Sequence, residues 1–402
     1  MRKDERVRRA IEFGLIFLLA AGMRGQSVAS SDGARAKALL LEREGKDAEA
    51  EEAWRAVEKA HPSNPEPYAH LGLLEARQKH YKEASADYRK ALSLGPSLPA
   101  LRLNLGLALF KGGDLKGAIQ VFGPLLKETP ESSPDNLRLT ILMGMAHYGL
   151  GEYAEAVPYL KSASDRDAQN LSLLLDLAHS YLWSKQFKYV MDVYQQILLL
   201  NAESAEADML AGEALDEMKD SEGAIKMFRA AVAAKPADPD AHFGLAFLLM
   251  IQNRFGDAAP EFEADLSIDP GNAQARVFLG DCYIHMNDTQ RAQAELERAV
   301  KDNPAIELGH LDLGDIYAGQ GRNSAALTQY LDATKEDPND SDAHWRLARL
   351  YRMMGQTDKA RAEAALVSTL NKQKYQSLAD QISAAGKARH EQQGQAPDAP
   401  QQ

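Results

Sequence analysis

The sequence predicts an all-α array of about ten antiparallel helix pairs, and three spaced regularities predict it. A glycine or alanine recurs as Ala38, Gly72, Gly106, Gly144, Ala178, Gly212, Ala246, Gly280, Gly314 and Ala348, at intervals of 34 residues with one interval of 38. Windows opening at residues 31, 65, 99, 137, 171, 205, 239, 273, 307 and 341 place this series at position 8. Position 20 is then alanine in nine windows and Val190 in the other, and position 24 is bulky from Trp54 to Tyr330, with Ala364 last. A short unit that recurs in this way cannot bury its apolar face alone, so it must be stacked on its neighbours.

Each window divides into two helices. Positions 4, 7, 8 and 11 share one face of a first helix, A, and positions 17, 20, 24 and 27 share one face of a second, B. Small residues at 8 and 20 let the two axes approach, and the bulky residue at 24 fills the space beside that contact. Gly151, Gly256 and Gly321 fall near the A–B turn, where a helix C-terminus favours glycine. Proline at position 32 (Pro62, Pro96, Pro130, Pro236, Pro270, Pro304 and Pro338) ends helix B and turns the chain into the next A helix.

The segments outside the repeat are read in chain order. Residues 1–29 combine Arg2, Lys3, Arg6, Arg8 and Arg9 with an apolar run from Phe13 to Met23, then Ser27-Val28-Ala29. Eleven apolar residues fall short of the ~20 that span a bilayer. The expectation is a signal peptide cut after Ala29, with an uncleaved membrane anchor as the alternative. Repeats one to three occupy 31–132, and repeats four to ten occupy 137–374. Between them Ser133, Pro134, Asp135 and Asn136 read as extra turn formers lengthening a loop, which could serve as a joint between two blocks. Residues 375–386 read as a helix that caps the stack, and the Gln-, Pro- and Ala-rich 387–402 as a disordered tail.

The pattern resembles the tetratricopeptide repeat family across residues 31–374. Windows two and nine match best, through Tyr68, Leu71, Gly72, Ala84, Tyr88, Ala91 and Pro96, then Leu313, Gly314, Tyr317, Ala326, Tyr330, Ala333 and Pro338. The resemblance implies a right-handed superhelical solenoid of antiparallel helix pairs with a concave groove. Two departures stand out. Position 4 is histidine three times, as His242, His310 and His344, and windows four and five carry Ala168 and Ala202 in place of the proline.

Composition narrows the function classes. A net charge of −12 opposes nucleic-acid binding, because phosphate backbones repel such a surface. The lone Cys282 excludes an intrachain disulfide and a thiolate zinc site, and it reads as a small core residue. None of the common phosphate-loop, zinc-protease, serine-nucleophile or dinucleotide motifs occurs. His242, His310 and His344 share one repeat position on successive helices, ~8–10 Å apart, too far to share one metal ion. No cofactor, metal or small-molecule substrate is expected, and no enzyme. The residual catalytic candidates are Asp281, Asp315 and His285.

The resemblance further implies that A-helix positions 2, 5, 9 and 12 or 13 line the groove. Those positions hold Met145, His179, Trp183, Met209, Glu213, Phe243, Phe247, Asp281, Asp315, Trp345 and Arg349. The stripe runs from apolar and aromatic through acidic to basic, and aromatic and methionine side chains are the anchors by which surfaces bind peptides. Chaperone-binding members carry a lysine, asparagine and arginine set over three consecutive repeats. Here only Asn104 and Arg346 fill single slots, so chaperone-tail binding is not expected. The reading is an exported, non-catalytic scaffold or adaptor that binds a protein or peptide in its groove. It would be periplasmic or secreted, within a bacterial cell envelope, and would meet the membrane only if residues 1–29 stay attached. The alternative is an accessory subunit that recruits a glycosyltransferase, a protease or a secretion component.

Overall fold

The computed structural model describes residues 31–95 and 99–394, and every regular element among them is a helix. The expected signal segment therefore lies outside the described residues. Two compact units divide the chain, Met1–Ala234 and Lys235–Gln402.

The first unit holds six helix pairs: α1 (Ser31–Arg43) with α2 (Asp47–Ala60), α3 (Pro65–Arg77) with α4 (Tyr81–Leu94), α5 (Pro99–Lys111) with α6 (Leu115–Glu128), α7 (Pro134–Leu150) with α8 (Tyr153–Arg166), α9 (Leu171–Trp183) with α10 (Phe187–Leu200), and α11 (Ala205–Glu217) with α12 (Ser221–Ala234). The second holds four: α13 (Pro239–Ile251) with α14 (Phe255–Ile268), α15 (Ala273–His285) with α16 (Thr289–Asp302), α17 (Glu307–Gly319) with α18 (Asn323–Glu336), and α19 (Ser341–Met353) with α20 (Thr357–Gly394). Within each unit every helix packs on the next in sequence.

The contact between positions 8 and 24 organises each pair. A Cβ added at Gly106 would lie 2.3 Å from the Phe122 ring, and one added at Gly314 would lie 2.4 Å from that of Tyr330. The bulky side chain thus sits directly over the glycine of its own repeat, rather than beside the helix crossing. Trp54, Tyr88, Phe122, Leu160, Phe262 and Leu296 are fully buried there, as are the position-20 alanines from Ala50 to Ala326.

The A–B turns differ from expectation in one respect. Position 15 has a positive φ in all ten repeats: Gly45, Lys79, Gly113, Gly151, Lys185, Lys219, Asn253, Asn287, Gly321 and Gly355. The following amide donates back to the carbonyl five residues earlier, as Asp220 does to Leu215 and Asp288 to Tyr283, which closes the helix end in a Schellman-type turn. Gly256 is therefore not a turn residue. It lies inside α14, in open space, and Asn253 makes the turn.

Two further expectations are corrected. Residues 133–136 do not lengthen a loop. Ser133 caps α7 by accepting from the Asn136 amide, and Pro134 opens the helix, so the four residues add a turn to α7, which has 17 residues against 13 in α5. Serine and proline are as much helix starters as turn formers. The segment stays within the first unit, where buried Asn136 donates to the Thr129 carbonyl and accepts from Arg166.

At the other end, 375–386 is helical, as expected, and is joined to the last repeat without a break. It continues α20, which runs unbroken to Gly394, and Tyr375 on it is 73% exposed. Residues 387–394 are helical, where a disordered tail was expected, and 395–402 lie outside the described residues. Among the described residues no helix is long and apolar enough to cross a membrane.

Candidate partner-binding face

The A helices carry the proposed face, and packing decides which of its residues remain available. In the first unit α9 and α11 touch directly as well as through α10. Met209 is consequently 7% exposed and His179 8%, so both are taken up by packing instead of lining an open surface. The His179 ring stands edge-on to Tyr148 at 6.4 Å, and its Nε2 lies 3.5 Å from Glu206. Met145 is half-buried against the core of repeats two to four. Trp183 and Glu213 do reach the surface, Trp183 at 61% exposure with its indole stacked on Tyr153 at 6.0 Å.

In the second unit Phe243 and Phe247, at the same positions, join Phe262 and Phe278 in a continuous strip. Phe262 is fully buried under position 8, Phe243 and Phe278 are half-buried, and Phe247 is 36% exposed. Their ring centroids lie 5.7–6.5 Å apart, so the strip leads from the core to the surface through aromatic contacts. One turn beyond Phe278 on α15 is Asp281, half-buried and 3.5 Å from His285, whose ring lies flat on Phe255 at 4.1 Å.

Asp312, Asp315 and Asp342 follow around a single guanidinium. Arg346 bonds Asp315, lies 2.8 Å from Asp342 and 4.0 Å from Asp312, and Asp315 also accepts from the Tyr330 hydroxyl. Burial first, then the neighbouring Asp281, pushes the Asp312 carboxyl up to about 7, against the pull of Arg346. Burial likewise raises Asp281. At the far end Trp345 is 51% exposed, with the Arg349 guanidinium over its ring at 5.8 Å.

The histidines at position 4 serve packing, as the spacing implied. The Nδ1 of His242, His310 and His344 lies 2.6, 2.8 and 2.6 Å from Glu261, Gln329 and Glu363 respectively. Their Nε2 atoms donate to the carbonyls of Pro236, Pro304 and Pro338 at 2.9–3.1 Å. Arg276, at the same position of repeat eight, bridges Glu295 at 3.0 Å and the Pro270 carbonyl at 2.7 Å. Sequence reasoning missed this link, although a signal for it was present. Position 23 is Glu or Gln in repeats seven to ten, and in no earlier repeat.

Asn104 is buried and Arg346 is held by aspartates, so neither is available for a peptide carboxylate. Cys282 is buried, and burial pushes its thiol up to about 12, which suits a core residue. Among the described residues no three His, Cys, Asp or Glu side chains gather as a metal site.

Helix pairs that recur at a 34-residue spacing, each with a left-handed turn between its helices, define a helical-repeat protein. The chain belongs to the tetratricopeptide repeat family: two tetratricopeptide repeat models match it, one over residues 147–214 and 249–311, the other over segments between 35–133 and 192–273 and over 311–369. Neither is a model of a catalytic family.

Curated relatives include the BBSome complex member BBS4 of Bos taurus, 24% identical over 212 residues, which are 53% of this chain and 40% of that protein. Another is tetratricopeptide repeat protein 8 of Caenorhabditis elegans, 27% identical over 37% of this chain and 30% of that protein. The chain thus spans less than half the length of either. Similar solved structures include a tetratricopeptide repeat protein from Parabacteroides merdae, with TM-score 0.46 and 19% identity, covering 63% of this chain and 98% of that one. YrrB, described as having an unusual peptide-binding site, has TM-score 0.39 and 20% identity and covers 47% of this chain and 97% of its own.

Proposed function

We propose that this chain is an exported, non-catalytic adaptor that binds a protein or peptide partner along its A helices, in the periplasm or outside the cell. One observation carries the binding reading: the second unit exposes Phe247 at the end of an aromatic strip whose Phe278 lies one helical turn from Asp281, which in turn neighbours Asp312. An apolar anchor ringed by charge is the usual make-up of a recognition hot spot. Asp281 and His285 share one helix, and the His285 ring lies flat on Phe255, an arrangement that fits a surface pair better than an acid–base machine.

Export rests on the composition of residues 1–29 alone. The intact mass of the protein recovered from the producing cell tests it, with Ser30 expected as the first residue. Binding is tested by crosslinking in the same cell with Phe247→Asp. The variant is expected to lose its crosslinked partners while its helical circular dichroism stays unchanged. Unaltered crosslinking would sink the assignment of this face.

A further inference from the structure

We propose that a cavity at the ends of α9 and α11, in the first unit, receives an arginine side chain of the bound partner. This rests on the partner-binding reading above and adds the chemistry of the partner. The cavity measures about 300 Å³ and is lined by Leu182, Trp183, Lys185, Phe187, Glu213, Asp216 and Glu217.

Its walls combine two features that together select a guanidinium. The first is the indole of Trp183, which is 61% exposed yet held in place. Its ring stacks on Tyr153 at 6.0 Å and 25°, and Tyr153 in turn stands edge-on to Tyr148 at 5.6 Å. The stacking favours one placement of the indole before any ligand arrives, which lowers the rotamer entropy lost on binding. The second feature is charge. The lining holds three carboxylates, Glu213, Asp216 and Glu217, and one lysine, Lys185, so it carries more negative than positive charge.

An anion is repelled from such a site. A lysine ammonium can pair with a carboxylate as a point charge but has no flat face to lay on the indole. A guanidinium does both: it stacks on the ring and presents paired N–H donors to carboxylates. The aliphatic stem of the arginine would cover Leu182 and Phe187. The chain shows the same pairing internally, where Trp345 has the Arg349 guanidinium over its ring at 5.8 Å.

The test reads Trp183 directly. Trp345→Phe in the full chain leaves Trp183 and the buried Trp54 as the only tryptophans. The probe is acetyl-Gly-Leu-Arg-Leu-Gly-amide, compared with the same peptide carrying citrulline, the uncharged isostere, or lysine. The arginine peptide is expected to change the Trp183 fluorescence saturably. The citrulline peptide should bind at least about tenfold more weakly, the lysine peptide severalfold more weakly, and Glu213→Gln with Glu217→Gln should abolish the response. Equal binding of the citrulline peptide, or an unchanged response in the double variant, overturns the proposal. So does choline saturating the site at a lower concentration than the arginine peptide, which would mark a site for a small cation. The two readings fail separately, because Phe247 belongs to the other unit. Partner crosslinks lost with Phe247→Asp but no response at Trp183 would refute the arginine site alone.

Discussion

In the second unit, position 4 carries the same bridge in every repeat, whereas in the first it changes from repeat to repeat. His242, Arg276, His310 and His344 each join the carbonyl of the preceding repeat's proline to a Glu or Gln on their own B helix. In the first unit, Tyr68 reaches the Pro62 carbonyl, Arg102 pairs with Glu128, Thr140 bonds within its own helix, and Asp208 accepts from Tyr194. The second unit is thus built from near copies of one joint, and the first from individual solutions. Where the joint is uniform, the A-helix face carries an aromatic strip followed by an acidic cluster. Where the joint varies, α9 and α11 touch directly, and a cavity opens at their ends.

The sharpest way to break this comparison is to remove the arginine at position 4 in each unit. Arg276 has a side chain only 3% exposed, and its loss strands Glu295 and the Pro270 carbonyl. Arg276→Ala should cost about 2–4 kcal/mol in urea unfolding followed by circular dichroism, because the buried guanidinium is lost together with its bonds to the Pro270 carbonyl and the half-buried Glu295. Arg102 is 30% exposed and Glu128 54%. Arg102→Ala should cost less than about 1 kcal/mol, the range of surface pairs. Similar costs would mean that the bridges do not distinguish the units.

A second test concerns the acidic part of the face. Asp312 holds its proton up to about 7, driven by burial and then by Asp281, with Asp315 and Asp342 adding to the shift and Arg346 opposing it. Its carboxyl therefore binds a proton in the folded chain between the usual value, about 4, and about 7, while the unfolded chain has lost it. Stability falls as pH rises through that window, and the full cost is present above it. Asp312→Asn removes the titration and keeps the shape. It should flatten the pH dependence of the unfolding midpoint between those limits and leave the variant more stable at pH 8 by about 1–2 kcal/mol. A variant that tracks the parent across the window would show that Arg346 already neutralises the cluster.

The architecture was legible because its decisive contacts lie within one repeat. Gly106 under Phe122 and Gly314 under Tyr330 join positions 16 residues apart that recur at fixed spacing, so the periodicity alone exposes them. The His242–Glu261 link was harder to read, since it needs two columns compared at once and holds in only four repeats. The face was half legible. A helical wheel orients Met209 and His179 outward, but it carries no information on how near the next A helix lies, and α11 packs against α9 closely enough to bury both. Gly256 misled because glycine is the expected left-handed residue, whereas the chain uses asparagine at that turn and lysine at others.

Those turns supply the smallest contrast between the units. Non-glycine residues at position 15 are Lys79, Lys185 and Lys219 in the first unit but Asn253 and Asn287 in the second. Asparagine enters the left-handed region more readily than lysine, because its short polar side chain can bond locally. Lysine at φ 67 carries the steric cost of its Cβ against the following carbonyl, as at Lys219. Lys219→Gly should stabilise the chain by about 0.5–1 kcal/mol, while Asn253→Gly should change it by less than about half of that. Lys219 is exposed, so no packing is lost to offset the gain. If both substitutions give the same result in thermal unfolding, the strain at the lysine turns is already relieved, and the two units would differ in their position-4 bridges but not in their turns.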